Sequence, residues 1–349
     1  MLPHAALPAV AAAAPRVPNG LVGDWRLPDA DFIASFQLPG IDQKVGLLEA
    51  RNPLPRDSRV VFDEEHHRYY IDGRVRAPRS VTQLVHEVAQ EFDAPAAIVA
   101  MRRGRNWSRR RREFLHADGT EMTDLEIAAR WSENGRVQSS RGTLMHFQIE
   151  QFLNGAVVEE PHSPEFAMFH RFREDFMIAR GLEPLRTELS LFHCGLQAAG
   201  QADLIARDAE TGRIVILDWK RSKEIKFKNP YQKLKPPLDH LPDCNYSLYC
   251  LQLNVYRYIL ESEYGLSVSG MFLAVFHPNE IGPLCIEVPR LEREVALLVE
   301  HEKRAHGATD PIPGENAPFL GSVPEGMDQG MDQQPSVQVA ATSERPRCV

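Results

Sequence analysis

The sequence contains no Cys-x-x-Cys pair, no Gly-x-Ser-x-Gly, no His-Glu-x-x-His and no glycine-rich phosphate loop. Those absences set aside zinc ribbons, elbow-type serine hydrolases, zincins and P-loop NTPases. Cysteine is scarce. Cys194, Cys244, Cys250, Cys285 and Cys348 form an odd set, a poor disulfide framework that fits a reducing, intracellular setting, whether nuclear, organellar, cytoplasmic or viral. Small apolar filler plus one tail thiol is the expected use of these residues. No apolar run approaches the roughly 18 residues of a membrane span, so no membrane partner is expected. The first fifteen residues lack a basic segment and are broken by proline, unlike a secretory signal.

What is present is an apolar content of 43% and a charged content of 25%, ordinary for a soluble chain of 349 residues. The net charge of −8 is unevenly spread, because the stretch from Gly307 to Val349 holds six acids against two arginines. Residues 1–55 are rich in Pro and Ala without periodicity and are expected to be poorly ordered. Residues 307–349 are rich in Pro, Gly and Gln and repeat Gly-Met-Asp-Gln at 326–329 and 330–333, which predicts a disordered tail. One folded unit is expected between them, over 56–306.

Its periodicities predict an N-terminal hairpin near 60–71 and a helix from the Ser80-Val-Thr-Gln83 capping box. A helix starting at Asp93 and Pro95 follows. Further helices are expected at about 142–153 and 164–180, then strands near 185–192, 200–207 and 214–220. A long helix from about Cys244 to Tyr264, strands at Val268–Phe276 and Leu284–Val288, and a helix over 290–305 complete it. The order α, βββ, α, β predicts an α/β fold with a mixed sheet flanked by helices.

The chemistry concentrates on one predicted hairpin. If Arg207 pairs with Ile214, Asp203 falls opposite Asp218, with side chains about 5 Å apart. Lys220 lies on the same face because strand side chains alternate. Two carboxylates that close repel unless a cation lies between them, so the pair reads as a metal site. Pairing Phe192 with Ala199 brings Glu188 beside Asp203, as a solvated strand carboxylate or as a ligand. His146 sits on a predicted helix just before these strands, as a structural histidine or as a ligand. Tyr249, Gln252 and Tyr256 share a helix stripe, either as packing edges or reaching the acidic site.

Gly142-Thr-Leu-Met-His146, Glu188, Gly200-x-x-Asp203, Asp218-x-Lys220 and Gln252-Leu-x-x-Tyr256 together resemble the PD-(D/E)xK nuclease superfamily. The nearest likeness is to its RecB-type branch, which includes mitochondrial genome-maintenance exonucleases. The resemblance runs in order from about Gly142 to Phe276. It implies a restriction-endonuclease-like αβββαβ core at 136–306, with 56–135 as an accessory part of the nuclease domain. It also implies that His146, Asp203, Asp218 and the backbone carbonyl of Trp219 hold Mg²⁺ or Mn²⁺. Asp203, Asp218, Lys220 and Glu188 would be catalytic, with Gln252 and Tyr256 as the accessory pair. The cysteine spacing does not supply the iron–sulfur cluster of some RecB-type members.

Two basic blocks point to nucleic acid as the partner, with DNA favoured over RNA. The first is Arg102, Arg103, Arg105, Arg109, Arg110, Arg111 and Arg112 around Trp107, suited to phosphate contact and base stacking or else a solvated loop. The second follows Lys220 with Arg221, Lys223, Lys226, Lys228 and Lys233 against a single acid, Glu224. The activity that the RecB-type resemblance implies is hydrolysis of DNA, as an exonuclease in replication, recombination or repair. The alternative is a non-catalytic nucleic-acid-binding module on the same fold.

Overall fold

The β-rich sequence between residues 182 and 221 folds as three consecutive antiparallel strands, and the remaining elements are arranged around them. The computed structural model describes residues 46–306 apart from 64, 65, 67, 74, 78 and 159–161, so the expectations for 1–45 and 307–349 lie outside the described residues. The described chain opens with helix α1 (Leu47–Arg51) and a small sheet of β1 (Val60–Asp63), β2 (Arg68–Ile71) and β3 (Val75–Arg76). Then come β4 (Arg79–Ser80), α2 (Val81–Glu87), α3 (Ala94–Arg103), α4 (Trp107–Arg110), α5 (Asp124–Leu153) and α6 (Pro164–Phe172). The second half holds β5 (Leu182–His193), β6 (Ala198–Asp208), β7 (Ile214–Arg221), α7 (Asn245–Glu263), β8 (Val268–Phe276), β9 (Leu284–Glu287) and α8 (Glu292–His306).

The main sheet is mixed, as expected. It runs β4-β6-β7-β8-β9, with β5 also paired to β6. The β4–β6 and β7–β8 pairs are parallel and the others antiparallel. Because β5 occupies one edge of β6 from Ala198 to Asp208, β4 and β7 must share the other edge. On that edge β4 pairs with Ala198 and Ala199, and β7 with residues 204–207. Residues 200–203 between them have no strand partner on that side. This gap is where the acidic residues stand.

Apolar layers cover both faces. One contains Leu189, Ile205, Ile216, Leu251, Val255 and Leu298, joining the sheet to α7, α2 and α8. The other contains Met145, Ile149, Phe166, Phe169, Leu204, Leu217 and Trp219, joining it to α5 and α6. Leu204 and Leu217 face one layer and Ile205 and Ile216 the other, while Ala202 packs in the layer of Ile205.

Three expectations need correction. Chain order begins before residue 55, because Leu48 is buried and its amide donates to Asn154 Oδ1 at 3.0 Å. The division expected at 135/136 falls inside α5, whose Thr123 side chain and Glu126 form a capping box that starts the helix far upstream of Gly142. The helix expected over 164–180 is α-helical only to Phe172, then passes through a π turn at Arg173–Met177 and a 3₁₀ turn at Ile178–Arg180. It ends at Gly181 in the left-handed conformation, φ 64°.

Candidate active site

The predicted register is the observed one. Arg207 pairs with Ile214 and Leu204 with Leu217, and the ladder opens one position before Asp203 and Asp218. In place of a ladder bond, Asp203 Oδ2 accepts the amide of Trp219 at 2.6 Å. That bond fixes the carboxylate and leaves Oδ1 turned toward α5, 3.6 Å from His146 Nδ1. Phe192 pairs with Ala199 as expected, which sets Glu188 level with Asp203. Glu188 has φ 43°, a left-handed conformation that a non-glycine residue rarely adopts inside a strand. Its Oε1 lies 3.5 Å from His146 Nδ1.

His146, Glu188 and Asp203 thus converge, each offering one ligand atom within 4.8 Å of the others. Burial alone would lower the His146 pKa, but the Asp203 and Glu188 carboxylates outweigh it and raise it to about 9. Burial raises the Asp203 carboxyl, against the lowering effect of His146.

Asp218 is not one of the converging three. It is almost fully buried, and Lys220 Nζ lies 2.7 Å from its Oδ2. Burial first, and then Asp203, push its pKa up to about 6 despite Lys220. Lys220 is held above the ordinary lysine value, because Asp218 and Asp203 outweigh the burial that opposes its charge. These carboxylates favour its charged form. Its ammonium also donates to Gln252 Oε1 at 3.2 Å and stands 5.0 Å from the Tyr249 ring centre. Gln252 Nε2 in turn donates to the Tyr256 hydroxyl and to Thr82 Oγ1, both at 3.3 Å. Thr82, on α2, was not singled out by sequence reasoning; its only sequence signal is its place inside the Ser80–Gln83 capping box.

Gly200 makes this packing possible. A Cβ there would lie 3.0 Å from Cε1 and from the hydroxyl oxygen of Tyr256, and 3.1 Å from Val81 Cβ. Gly200→Ala is expected to displace the Tyr256 ring and cost ~1–3 kcal/mol. Gly142→Ala, in open space on α5, is expected to stabilise by about 0.5–1 kcal/mol. Urea denaturation of both variants checks the contrast, and a neutral Gly200→Ala would refute it.

The residues fit a hard divalent cation. One imidazole nitrogen and two carboxylates converge, and both Asp218 oxygens are buried without a well-oriented hydrogen bond. The indole of Trp219 points away into the aromatic layer, 5.5 Å from Phe169 and 5.9 Å from Phe172 between ring centres.

Part of the first basic block is engaged within the fold. Arg102 donates to Asp124 at 2.9 Å and to the Met122 carbonyl at 2.8 Å, and its guanidinium covers Trp107. Trp107 packs on Phe114 at 5.8 Å beside Ile98 and Ile127. Both residues help hold the small core between α3 and α5, and both are half-buried. Arg103, Arg105, Arg109 and Arg112 are exposed and enter no ion pair among the described residues, while Arg110 lies 3.8 Å from Glu113 and Arg111 3.0 Å from Glu121. In the second block Lys223, Lys226 and Lys228 are likewise exposed and unpaired among the described residues. Arg221 is buried against Glu165 at 2.6 Å. No helix among the described residues is long and apolar enough to cross a membrane.

The family model of the PD-(D/E)XK nuclease superfamily matches residues 65–319. No curated protein matches the sequence. Among solved structures, the chain is similar to one titled "Crystal structure of SSO0001", at 16% identity over 66% of this chain and 76% of that one, with a TM-score of 0.25. At that score the likeness carries no further weight.

Proposed function

The chain belongs to the PD-(D/E)XK nuclease superfamily, and from that premise we propose that it hydrolyses DNA from an end, as a Mg²⁺- or Mn²⁺-dependent exonuclease of the RecB-type branch. Replication, recombination or repair is the setting such an activity serves. The observation that carries the reading is the convergence of His146, Glu188 and Asp203 beside the buried Asp218–Lys220 pair. The branch assignment is supported by the order of the motif residues and by the bond from Lys220 to Gln252.

His146, Glu188 and Asp203 are the residues that would hold the cation, with Asp218 and the Trp219 carbonyl completing its surroundings. When bound, a divalent cation neutralises the scissile phosphate and makes water a stronger nucleophile at neutral pH. The side chains supply the rest. Lys220, fixed between Asp218 and Gln252, presents a permanent positive charge where negative charge develops on the phosphate. Gln252 and Tyr256 position that ammonium. The Trp219 amide keeps Asp203 from rotating, so Oδ1 stays aimed at the cluster. In this reading Arg103, Arg105, Arg109, Arg110, Lys223, Lys226 and Lys228 meet the backbone phosphates.

End-labelled single- and double-stranded DNA and RNA, incubated with and without Mg²⁺ or Mn²⁺, test the proposal. Metal-dependent shortening of DNA from one end is expected. Tight binding of nucleic acid with no cleavage under either metal would overturn it in favour of a non-catalytic binding module.

A further inference from the structure

Beyond β7 the chain leaves Lys220 and Arg221 and enters an irregular stretch, residues 222–244, before α7 begins. Its backbone is tied down at several points. Lys226 N donates to Asn245 Oδ1 at 2.8 Å, Asn229 Nδ2 to the Asp243 carbonyl at 2.6 Å, and Gln90 Nε2 to the Lys233 carbonyl at 3.0 Å. Yet this anchored stretch turns two aromatic rings outward. Tyr231 is 92% exposed and Phe227 50% exposed. Large rings in water need a reason, and here they alternate with exposed, unpaired lysines.

The rings also lead somewhere. The free face of Phe227 adjoins a covered one, because its ring packs against Tyr246 with centres 4.6 Å apart. Tyr246 lies one turn before Tyr249 on α7, and residues three apart on a helix are neighbours. The Tyr249 ring stands 5.0 Å from Lys220 Nζ. Phe227 is thus linked through Tyr246 to the α7 face that carries Tyr249 and, beside it, the Lys220 ammonium.

We propose that Phe227 and Tyr231, with Lys226 and Lys228 between and beside them, form a stacking platform for unpaired bases that guides single-stranded nucleic acid toward Lys220. The proposal rests on the nuclease reading for the fate of the strand, but not for its binding. Exposed π faces are useful to unpaired bases, whereas bases inside a duplex are already stacked on each other. Lysines on the same stretch meet the phosphates of whichever sequence is bound, so the platform is indifferent to sequence.

The test measures binding of an oligothymidine strand carrying one 2-aminopurine, with chelator present so that no cleavage intervenes. Wild-type protein is expected to quench the 2-aminopurine on binding. Phe227→Ala and Tyr231→Ala are each expected to weaken binding by roughly 5- to 150-fold and to lose part of the quenching, while affinity for a blunt duplex stays within about 2-fold. Tyr231 is so exposed that its replacement cannot unfold the chain, which keeps the test decisive if Phe227→Ala is poorly behaved. Wild-type affinity and quenching in both variants would overturn the platform and leave these rings to a protein surface. A wild-type protein that quenches the strand but cleaves nothing when metal is restored would defeat the exonuclease reading and leave the platform standing. Cleavage of single strands at equal rates by wild type and both variants would do the reverse.

Discussion

Lys220→Ala is expected to yield a folded protein that still binds nucleic acid but cleaves it about 10²–10³-fold more slowly, the usual effect of removing one preorganised charge from a reacting centre. The expectation follows from how Lys220 is held. Its ammonium is fixed by an ion pair at 2.7 Å and a hydrogen bond at 3.2 Å, so it loses little freedom when a phosphate arrives. Asp203→Ala should be at least as severe. It removes one of the three converging ligands and also leaves the Trp219 amide without its 2.6 Å acceptor. Asp203→Asn separates these two losses, because an amide oxygen can still accept from Trp219 while contributing no charge. Single-turnover cleavage of an end-labelled strand, alongside binding of the same strand in chelator, reads both. Wild-type rates in Lys220→Ala and Asp203→Asn together would remove the acidic cluster from the chemistry.

The largest stability effect is expected one residue further along β7. Arg221 Nε donates to Glu165 Oε1 at 2.6 Å, with both side chains almost fully buried, and Arg221 also reaches Gln138 on α5. Removing one partner of such a pair strands an uncompensated charge in the core, at a cost of about 3–5 kcal/mol. Glu165→Ala should therefore lower the urea midpoint steeply. Glu183→Ala, which breaks the exposed pair with Arg207 at 3.0 Å, should change stability by about 0–1 kcal/mol. Replacing both buried partners, as in Glu165→Leu with Arg221→Met, should recover much of the loss, because no orphaned charge then remains. If Glu165→Ala and Glu183→Ala prove equally mild, the buried pair is not an anchor of α6 to the sheet.

The hairpin was legible in the sequence because a short polar loop at 208–213 joins two β-rich runs, and pairing the residues that flank it, Arg207 with Ile214, aligns the acids. The strand before it was legible for the same reason. What escaped sequence reasoning was governed by long-range contacts or by local backbone conformation. The start of α5 escaped because residues 132–143 carry Val137 as their one large apolar residue, and Gly135 and Gly142 interrupt the helical pattern there. Neither periodicity nor charge counts reveal that Trp107 and Arg102 also pack against Phe114 and Asp124. The left-handed backbone of Glu188 has no signature in residue type at all. It brings that carboxylate to His146, and it accounts for Glu188, and not Asp218, joining the converging ligands.

Trp219 is the middle residue of Asp218-x-Lys220, a position the motif leaves unspecified. In this fold its ring is a keystone among Phe169, Phe172 and Phe276, while its amide is the clamp on Asp203. One residue thus couples the interior to the acidic cluster. Loosening the aromatic layer from the far side, at Phe169 or Phe172, is a way to detune Asp203 without touching it. The freedom of the motif's variable position is therefore narrower in this chain than its notation implies.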